Sequence, residues 1–341
     1  MHVLLPGPPE TPTGGFVYDR QMLRALRRCG RLDSLIILPG GWPEPGAATV
    51  AAAERALAAL PAGATLLIDG LAFSPLLEVI EAARGRPAVF VLVHHPLADE
   101  TGLAADTRAR LFERECRALA LAQGVIVTSA TTARRLADFA VPGERIRVVR
   151  PAVDAARCGG GRRGYGAPRL LCVATLTPRK GQDVLLRALA GLRRRSWRLR
   201  LVGPERDRAF AGRLRRLAGA LRLSDRIDFA GAVTPAGLPA VYRAADLFVF
   251  PSHHEGFGIV VAEAAAYGLP IVASDAGAIA EAAAGSRHRL VPPGDAGALA
   301  RAIRPHLNGR RPAERRRIAP WRTWQQAGAE FLAALDALGA G

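Results

Sequence analysis

The sequence predicts an α/β protein of two domains, each a parallel sheet doubly wound with helices, the two facing one another across a cleft. Three observations lead there. A chain of 341 residues exceeds what a single hydrophobic core supports, and domains of roughly 100 to 200 residues make two the natural expectation. Short runs rich in β-branched residues and leucine alternate with longer stretches of helical spacing, the pattern of parallel strands joined by covering helices. The alternation halts once, at residues 151–168, where five glycines and two prolines fall without periodicity and mark a linker.

In the first series the strands are 2–6, 34–38, 65–69, 88–93, 125–128 and 146–149. Between the first two, residues 18–29 put Met22, Leu23 and Leu26 on one side and Arg24, Arg27 and Arg28 opposite, as in a helix lying on a sheet. The second series has strands 170–174, 198–202, 227–229, 247–250, 271–273 and 289–291. It closes with an arginine-rich stretch at 310–317 and one amphipathic helix over 321–338. The expected organisation is an N-terminal domain over 1–150, the linker, a C-terminal domain over 169–310 and the terminal helix. Ligands of such sheets sit outside the carboxyl ends of the strands, so the loops that follow strands are where chemistry is sought.

Half of the residues are apolar and 23% are charged, with no long polar or repetitive tract, which excludes a largely disordered chain and a solenoid. Cys29, Cys116, Cys158 and Cys172 are widely spaced, show no zinc-ligand pattern and read as reduced thiols. The N-terminus lacks a basic leader, breaks at Pro6 and reads as a strand rather than a secretory signal. No apolar segment approaches the ~20 residues that cross a bilayer. A cytoplasmic protein is expected, with at most peripheral contact with the inner face of a membrane. The net charge of +17 suggests a polyanionic partner, but it is uneven: residues 1–150 hold 17 arginines against 15 acidic residues, a balance of +2, which leaves +15 for the remainder. The second half is therefore the anion-binding half, although much of its arginine reads as solvated surface. Lys180 is the only lysine in the chain.

The most informative stretch is LFVFPSHHEGFGIVVAEAAAYGLPIVAS, residues 247–274, in which a buried strand ends at Pro251, a polar loop supplies Glu255 and a helix begins near Gly258. Gly256 and Gly258 leave room for a ligand against the backbone around Phe257. The free amides at Ile259, with the positive end of the helix dipole, favour a diphosphate. Glu255 is placed to accept hydrogen bonds from sugar hydroxyls, and Glu263, inside an otherwise apolar helix, from ribose hydroxyls. A second stretch, LLCVATLTPRKGQDVLLRAL, carries strand 170–174 into a loop with Arg179 and Lys180 before a helix opens at Gly181. Two cations there suit the charge that develops on a departing nucleoside diphosphate. A surface Arg-Lys pair is usually inert; the strand-to-helix turn singles this one out. In the first half, Gly14 and Gly15 precede the first helix and either line the cleft or form a plain turn. Strand 88–93 runs into His94, His95 and Pro96. A histidine there points into the cleft, where it can bind the sugar or stabilise positive charge through its carbonyl, and either ring also reads as an ordinary loop residue.

Together these segments resemble the family 4 glycosyltransferases, retaining enzymes of the GT-B fold with two Rossmann-like domains, over nearly the whole chain. Glu255 and Glu263 match that family's E-x7-E motif, Arg179-Lys180-Gly181 its basic donor loop, Gly14-Gly15 its N-terminal glycine loop and His94 its cleft histidine. The stretch HHPLADETGL is similar to a bacterial subset. The resemblance implies a nucleotide-sugar donor, more often a UDP-sugar than a GDP-sugar, transfer with retention, and a final helix returning to the N-terminal domain. His94, Arg179, Lys180 and Glu255 would serve the transfer; Gly14, Gly15, Gly256, Phe257, Gly258, Ile259 and Glu263 the donor, with Val233 near the base; and His95 the acceptor or sugar. One departure stands out: family members often carry Gly-Arg after the first strand of the donor domain, where this chain has Ala174 and Thr175. Arg179 is the candidate to supply the missing charge. No D-x-D motif is present to hold a divalent metal, so no metal or other cofactor is expected.

Two other readings stay open. A UDP-sugar epimerase shares the architecture, and the E-x7-E spacing argues for transfer instead. A nucleic-acid-binding protein would explain the charge, but aromatic residues make up only 6% and no recognisable nucleic-acid module is present. The acceptor is open among small molecules, glycans and lipids; lipid-modifying members of the family often attach through basic, apolar helices of the N-terminal domain, and residues 106–122, whose charges nearly cancel, are the candidate for loose membrane contact.

Overall fold

The computed structural model of the chain describes residues 1–153, 166–307 and 321–340. Most of the glycine-rich linker, Cys158 and the arginine-rich stretch at 310–317 lie outside the described residues. Contacts divide the chain into two compact units, Met1–Ala152 with the C-terminal segment from Thr323, and Val153–Arg322.

In the first unit the strands are β1 (His2–Leu5), β2 (Ser34–Ile37), β3 (Thr65–Asp69), β4 (Ala88–Val93), β5 (Gly124–Val127) and β6 (Ile146–Val148), and the helices are α1 (Gly14–Arg28), α2 (Ala47–Ala58), α3 (Gly70–Phe73), α4 (Leu77–Ala82), α5 (Ala105–Leu121) and α6 (Ala130–Arg135). The strands form one parallel sheet in the order β2-β1-β3-β4-β5-β6. Central strands such as β4, AVFVLV, are apolar on both faces because helices cover both sides. Helix α1 begins four residues before the sequence pattern suggested, since the Thr13 side chain caps the amide of Phe16 and the helix then includes Gly14 and Gly15.

The second unit holds β7 (Arg169–Val173), β8 (Arg198–Val202), β9 (Ile227–Gly231), β10 (Leu247–Phe250), β11 (Ile271–Ser274) and β12 (His288–Val291), interleaved with α7 (Gln182–Ala190), α8 (Arg208–Ala220), α9 (Leu238–Ala244), α10 (Ile259–Ala266), α11 (Ile279–Ala283) and α12 (Ala296–Ile303). Its sheet is also parallel, in the order β12-β11-β10-β7-β8-β9. Chain direction across the sheet reverses between β7 and β10, so the loops after those two strands lie side by side at the switch point, where such sheets bind ligands. In the first unit the reversal falls between β1 and β3, beside the end of β4.

The last helix, α13 (Trp324–Ala337), belongs to the first unit. Thr323 and Gln326 form a capping box that starts it, and its buried Phe331 and Leu335 join the core beneath β1 and β5. Close approach depends on small residues: a Cβ at Gly328 would lie 2.9 Å from Ala25 of α1, and one at Gly124 would lie 2.8 Å from Leu338. Among the described residues no helix is long and apolar enough to cross a membrane.

Candidate active site

The loops after β7 and β10 are stitched together by their own backbone. His253 donates its amide to the carbonyl of Arg179 at 2.8 Å, and Arg179 donates through Nη1 to the carbonyl of His254 at 2.8 Å. Gly181 makes this closeness possible: its φ of +65° is left-handed, and a Cβ there would lie 2.2 Å from the carbonyl oxygen of Pro251. Into this seam the chain puts one carboxylate and two cations. Lys180 Nζ and Ser252 Oγ each donate to Glu255 Oε1 at 2.5 Å, with Arg179 Nη1 at 3.6 Å. The Lys180 ammonium also lies over the Phe250 ring at 5.6 Å. Burial alone would raise the Glu255 carboxyl. The Lys180 and Arg179 charges and the two hydrogen bonds outweigh it and hold the group below its ordinary value. The other oxygen, Oε2, accepts nothing among the described residues.

Three residues beyond Glu255 the helix α10 starts from Gly258, whose φ is +91°. The ladder inside α10 begins with the amides of Val261 and Ala262 bonding back to the carbonyl of Gly258, so the amides of Gly258, Ile259 and Val260 fall in the first turn, where no helical partner exists. A loop after β11 fixes Glu255 from the other side. Ala278 donates its amide to the Glu255 carbonyl at 2.9 Å, and a Cβ at Gly277, φ +60°, would collide with that carbonyl at 2.1 Å. In the second turn of α10, Glu263 Oε2 accepts the hydroxyl of Tyr242 at 2.6 Å, and Tyr242 stacks on Tyr267 at 5.1 Å. Burial first, and then the Glu263 charge, push the Tyr242 phenol well above its ordinary value, so it stays a donor.

In the first unit, His94 follows β4 and lies across the start of α1: a Cβ at Gly15 would be 3.2 Å from its ring, which gives that glycine a packing role. His95 pairs with Glu100 at 3.6 Å. The two histidines thus have different acidic partners, Asp19 of α1 for His94 and Glu100 for His95.

Two family models match the chain one after the other: one for Glycosyltransferase Family 4 over residues 2–157 and one for Glycosyl transferases group 1 over residues 167–308. An MMP alpha-(1->4)-mannosyltransferase of Mycolicibacterium hassiacum is 31% identical over 319 residues, 87% of this chain and 76% of the relative. The chain belongs to the family 4 glycosyltransferases. A D-inositol 3-phosphate glycosyltransferase of Acidothermus cellulolyticus is 35% identical over 216 residues, 57% of this chain; the match spans about half of that relative, 48% of its length. The fold of two Rossmann-like units is that of GT-B enzymes. The Anabaena protein HepE, solved with UDP-glucose, superposes with a TM-score of 0.70 at 19% identity over 99% of this chain and 95% of its own.

Against this family's motifs, Arg179, Lys180, Glu255 and the start of α10 come together in one unit, and Glu263 lies one further turn along the same helix. Gly256 belongs to the same loop. Phe257, however, turns its side chain into the core, leaving only its backbone at the surface of the loop. Val233 packs against Gly237, whose Cβ position is 2.8 Å from the Val233 side chain, and nothing else marks it as a base contact. At the departure from the family pattern, Ala174 is buried and the Thr175 carbonyl accepts Nε2 of buried Gln182 at 2.9 Å. The segment 106–122 is less free than its sequence suggested: Arg114 and Arg117 are turned toward Glu78 and Glu81 of α4, and Arg114 Nε also donates to the Ser74 carbonyl at 2.7 Å. Sequence reading missed Ser252, Tyr242, Gly277, Asp19 and Asp69. Each lies far along the chain from its partner or looks like an ordinary helix or turn residue; the place of Asp19 on the helix face that carries Met22, Leu23 and Leu26 was the one available signal.

Proposed function

We propose that the chain transfers a glycosyl group, with retention, from a nucleoside diphosphate sugar held by the second unit to a hydroxyl of the acceptor. The observation that carries the reading is the cluster of Arg179, Lys180 and Glu255 beside the first-turn amides of α10 at the switch point of the sheet. Without a ligand, the two cations are balanced by Glu255. A diphosphate brings its own charge to Arg179, Lys180 and the helix start, and Glu255 Oε2 remains to accept a sugar hydroxyl. Glu263, with its carboxylate oriented by Tyr242, serves the ribose. In the transfer, the bond from the anomeric carbon to the diphosphate oxygen breaks and the acceptor oxygen bonds to that carbon on the same face. The acceptor proton passes to the departing diphosphate. The protein cations supply the neutralisation for which other transferases use a divalent metal, so none is required. The uridine nucleotide in the HepE complex supports a UDP-sugar as the first donor to try. A mannosyl donor is the second, from the activity named for the Mycolicibacterium relative.

The acceptor is a small molecule, glycan or lipid headgroup, with no nucleic acid partner and at most peripheral membrane contact. Calorimetric titration with UDP and GDP, followed by a screen of nucleotide sugars for slow hydrolysis, tests the reading. Micromolar binding of one nucleotide and hydrolysis of its sugar are expected; binding of neither refutes it.

A further inference from the structure

At the switch point of the first unit, three side chains from three elements meet. Asp19 comes from the second turn of α1, Asp69 is the last residue of β3, and His94 follows β4. His94 Nε2 lies 2.9 Å from Asp19 Oδ1 and 3.3 Å from Asp69 Oδ2. Both aspartates are buried, their side chains 2% and 4% exposed, while the histidine side chain keeps 21%. Behind them the space is lined by Val3, Leu5, Met22 and Leu67, an apolar wall. Asp69 is itself anchored, because its Oδ1 accepts the amide of Leu71 at 2.7 Å. Gly15 lets the ring come close to α1, and Tyr18 meets it edge-on at 5.7 Å.

Two adjacent carboxylates in an apolar wall are costly unless a cation offsets them, and among the described residues it is His94 that contacts both. We infer that Asp19 and Asp69 are positioning residues that hold the His94 ring charged, with Nε2–H turned inward and Nδ1–H outward, so that it donates a hydrogen bond to a substrate hydroxyl and never acts as a base. The titratable groups facing the ring are Asp19 from α1 and Asp69 from β3, with the Tyr18 phenol donating elsewhere, to the Val149 carbonyl at 2.9 Å. Burial by itself would discharge the imidazole. The Asp19 charge and hydrogen bond, then those of Asp69, overcome this and lift His94 to about 10. Asp19, raised chiefly by burial to about 6, shares part of the cost. A metal ion explains the spacing less well. Ligand atoms around a tetrahedral zinc stand about 3.3 Å apart; the Asp69 contact at 3.3 Å fits either reading, whereas the Asp19 contact at 2.9 Å is a hydrogen-bond distance.

The substrate hydroxyl in this inference rests on the transferase reading above, and the experiment separates the two. Nitrogen-15 spectra of histidine-labelled full-length protein are expected to show both ring nitrogens of His94 protonated from about pH 6 to about pH 9, whatever the activity. A His94 ring that titrates near its ordinary range in the wild type overturns the inference. So does stoichiometric Zn²⁺ binding that removes the Nε2–H signal. The Asp19→Asn and Asp69→Asn variants are expected to return His94 to ordinary titration and to lower turnover on the order of tenfold, with the donor KM within about twofold. Variants that fold, keep the ring charged and keep full turnover overturn it as well. If no nucleotide sugar is turned over while the wild-type ring stays doubly protonated, the transferase reading fails and the state of the ring is upheld.

Discussion

Replacing Lys180 by alanine removes one of two donors at 2.5 Å from Glu255 Oε1 and leaves a carboxylate whose side chain is only 10% exposed. Breaking a buried pair from one side costs about 3 to 5 kcal/mol, because the remaining charge is left without its partner. Here Ser252 still donates and Arg179 stands 3.6 Å away, so a loss near the lower end, about 3 kcal/mol, is expected. Its pH course follows from the depressed Glu255 carboxyl. Stability from the pair is present above the ordinary value of 4.5 and is lost as pH falls through the lower folded value. Lys180→Ala should remove that acid limb. Loss of one preorganised donor to a developing oxyanion also slows reaction by about 2.7 to 4 kcal/mol, roughly a hundredfold or more in turnover. Urea unfolding and a single-turnover transfer assay measure the two effects separately. Adding Glu255→Gln to Lys180→Ala removes the orphaned charge, so stability should recover while turnover does not. A Lys180→Ala protein with unchanged stability and near-normal turnover would refute the reasoning, as would recovery of turnover in the double variant.

Four further outcomes are expected. Tyr242→Phe deletes the donor to Glu263 and should weaken nucleotide affinity about tenfold with turnover nearly kept, following the roughly 1.5 to 3 kcal/mol of a hydrogen bond to a charged group; unchanged calorimetric affinity contradicts it. Gly277→Ala must move backbone against the Glu255 carbonyl at 2.1 Å and adopt a strained left-handed conformation, so a loss of at least about 2 kcal/mol and lowered activity are expected, checked by thermal unfolding. Glu115, which accepts the amides of Leu97 and Ala98 at 2.7 and 2.9 Å, is raised chiefly by burial to about 7. Its favourable contribution is full below the ordinary 4.5, declines as pH rises and is gone above about 7, a change of about 3 kcal/mol that Glu115→Gln should flatten in urea titrations at several pH values. Excess EDTA should leave transfer intact; loss of activity restored by Mg²⁺ or Mn²⁺ would show that the protein cations do not suffice.

The two series of strands were legible in the residues because parallel strands covered on both faces must be continuous apolar runs, as in LFVF of β10 and IVAS of β11. Helix starts were legible less well. Nothing in the periodicity of α1 revealed that Thr13 would cap it ahead of Gly14, because capping is a local geometry and not a pattern. In the site, Glu255, Lys180 and Arg179 were readable because their residue types stand out against apolar or glycine-rich surroundings. Their mutual pairing was not readable, since it joins positions 75 apart in the chain.

Residue order alone determined the two α/β series, the concentration of positive charge after residue 150 and the loops that carry ionisable groups at strand ends. Tertiary structure decided which groups meet. The crossing of chain direction between β7 and β10 brings Lys180 to Glu255, and that between β1 and β3, beside β4, gathers Asp19, Asp69 and His94. Hydrophobic patterning is local and leaves a trace in every few residues, whereas a switch point exists only once strands have been ordered in a sheet, and the charges that meet there owe their strength to burial that no isolated segment provides.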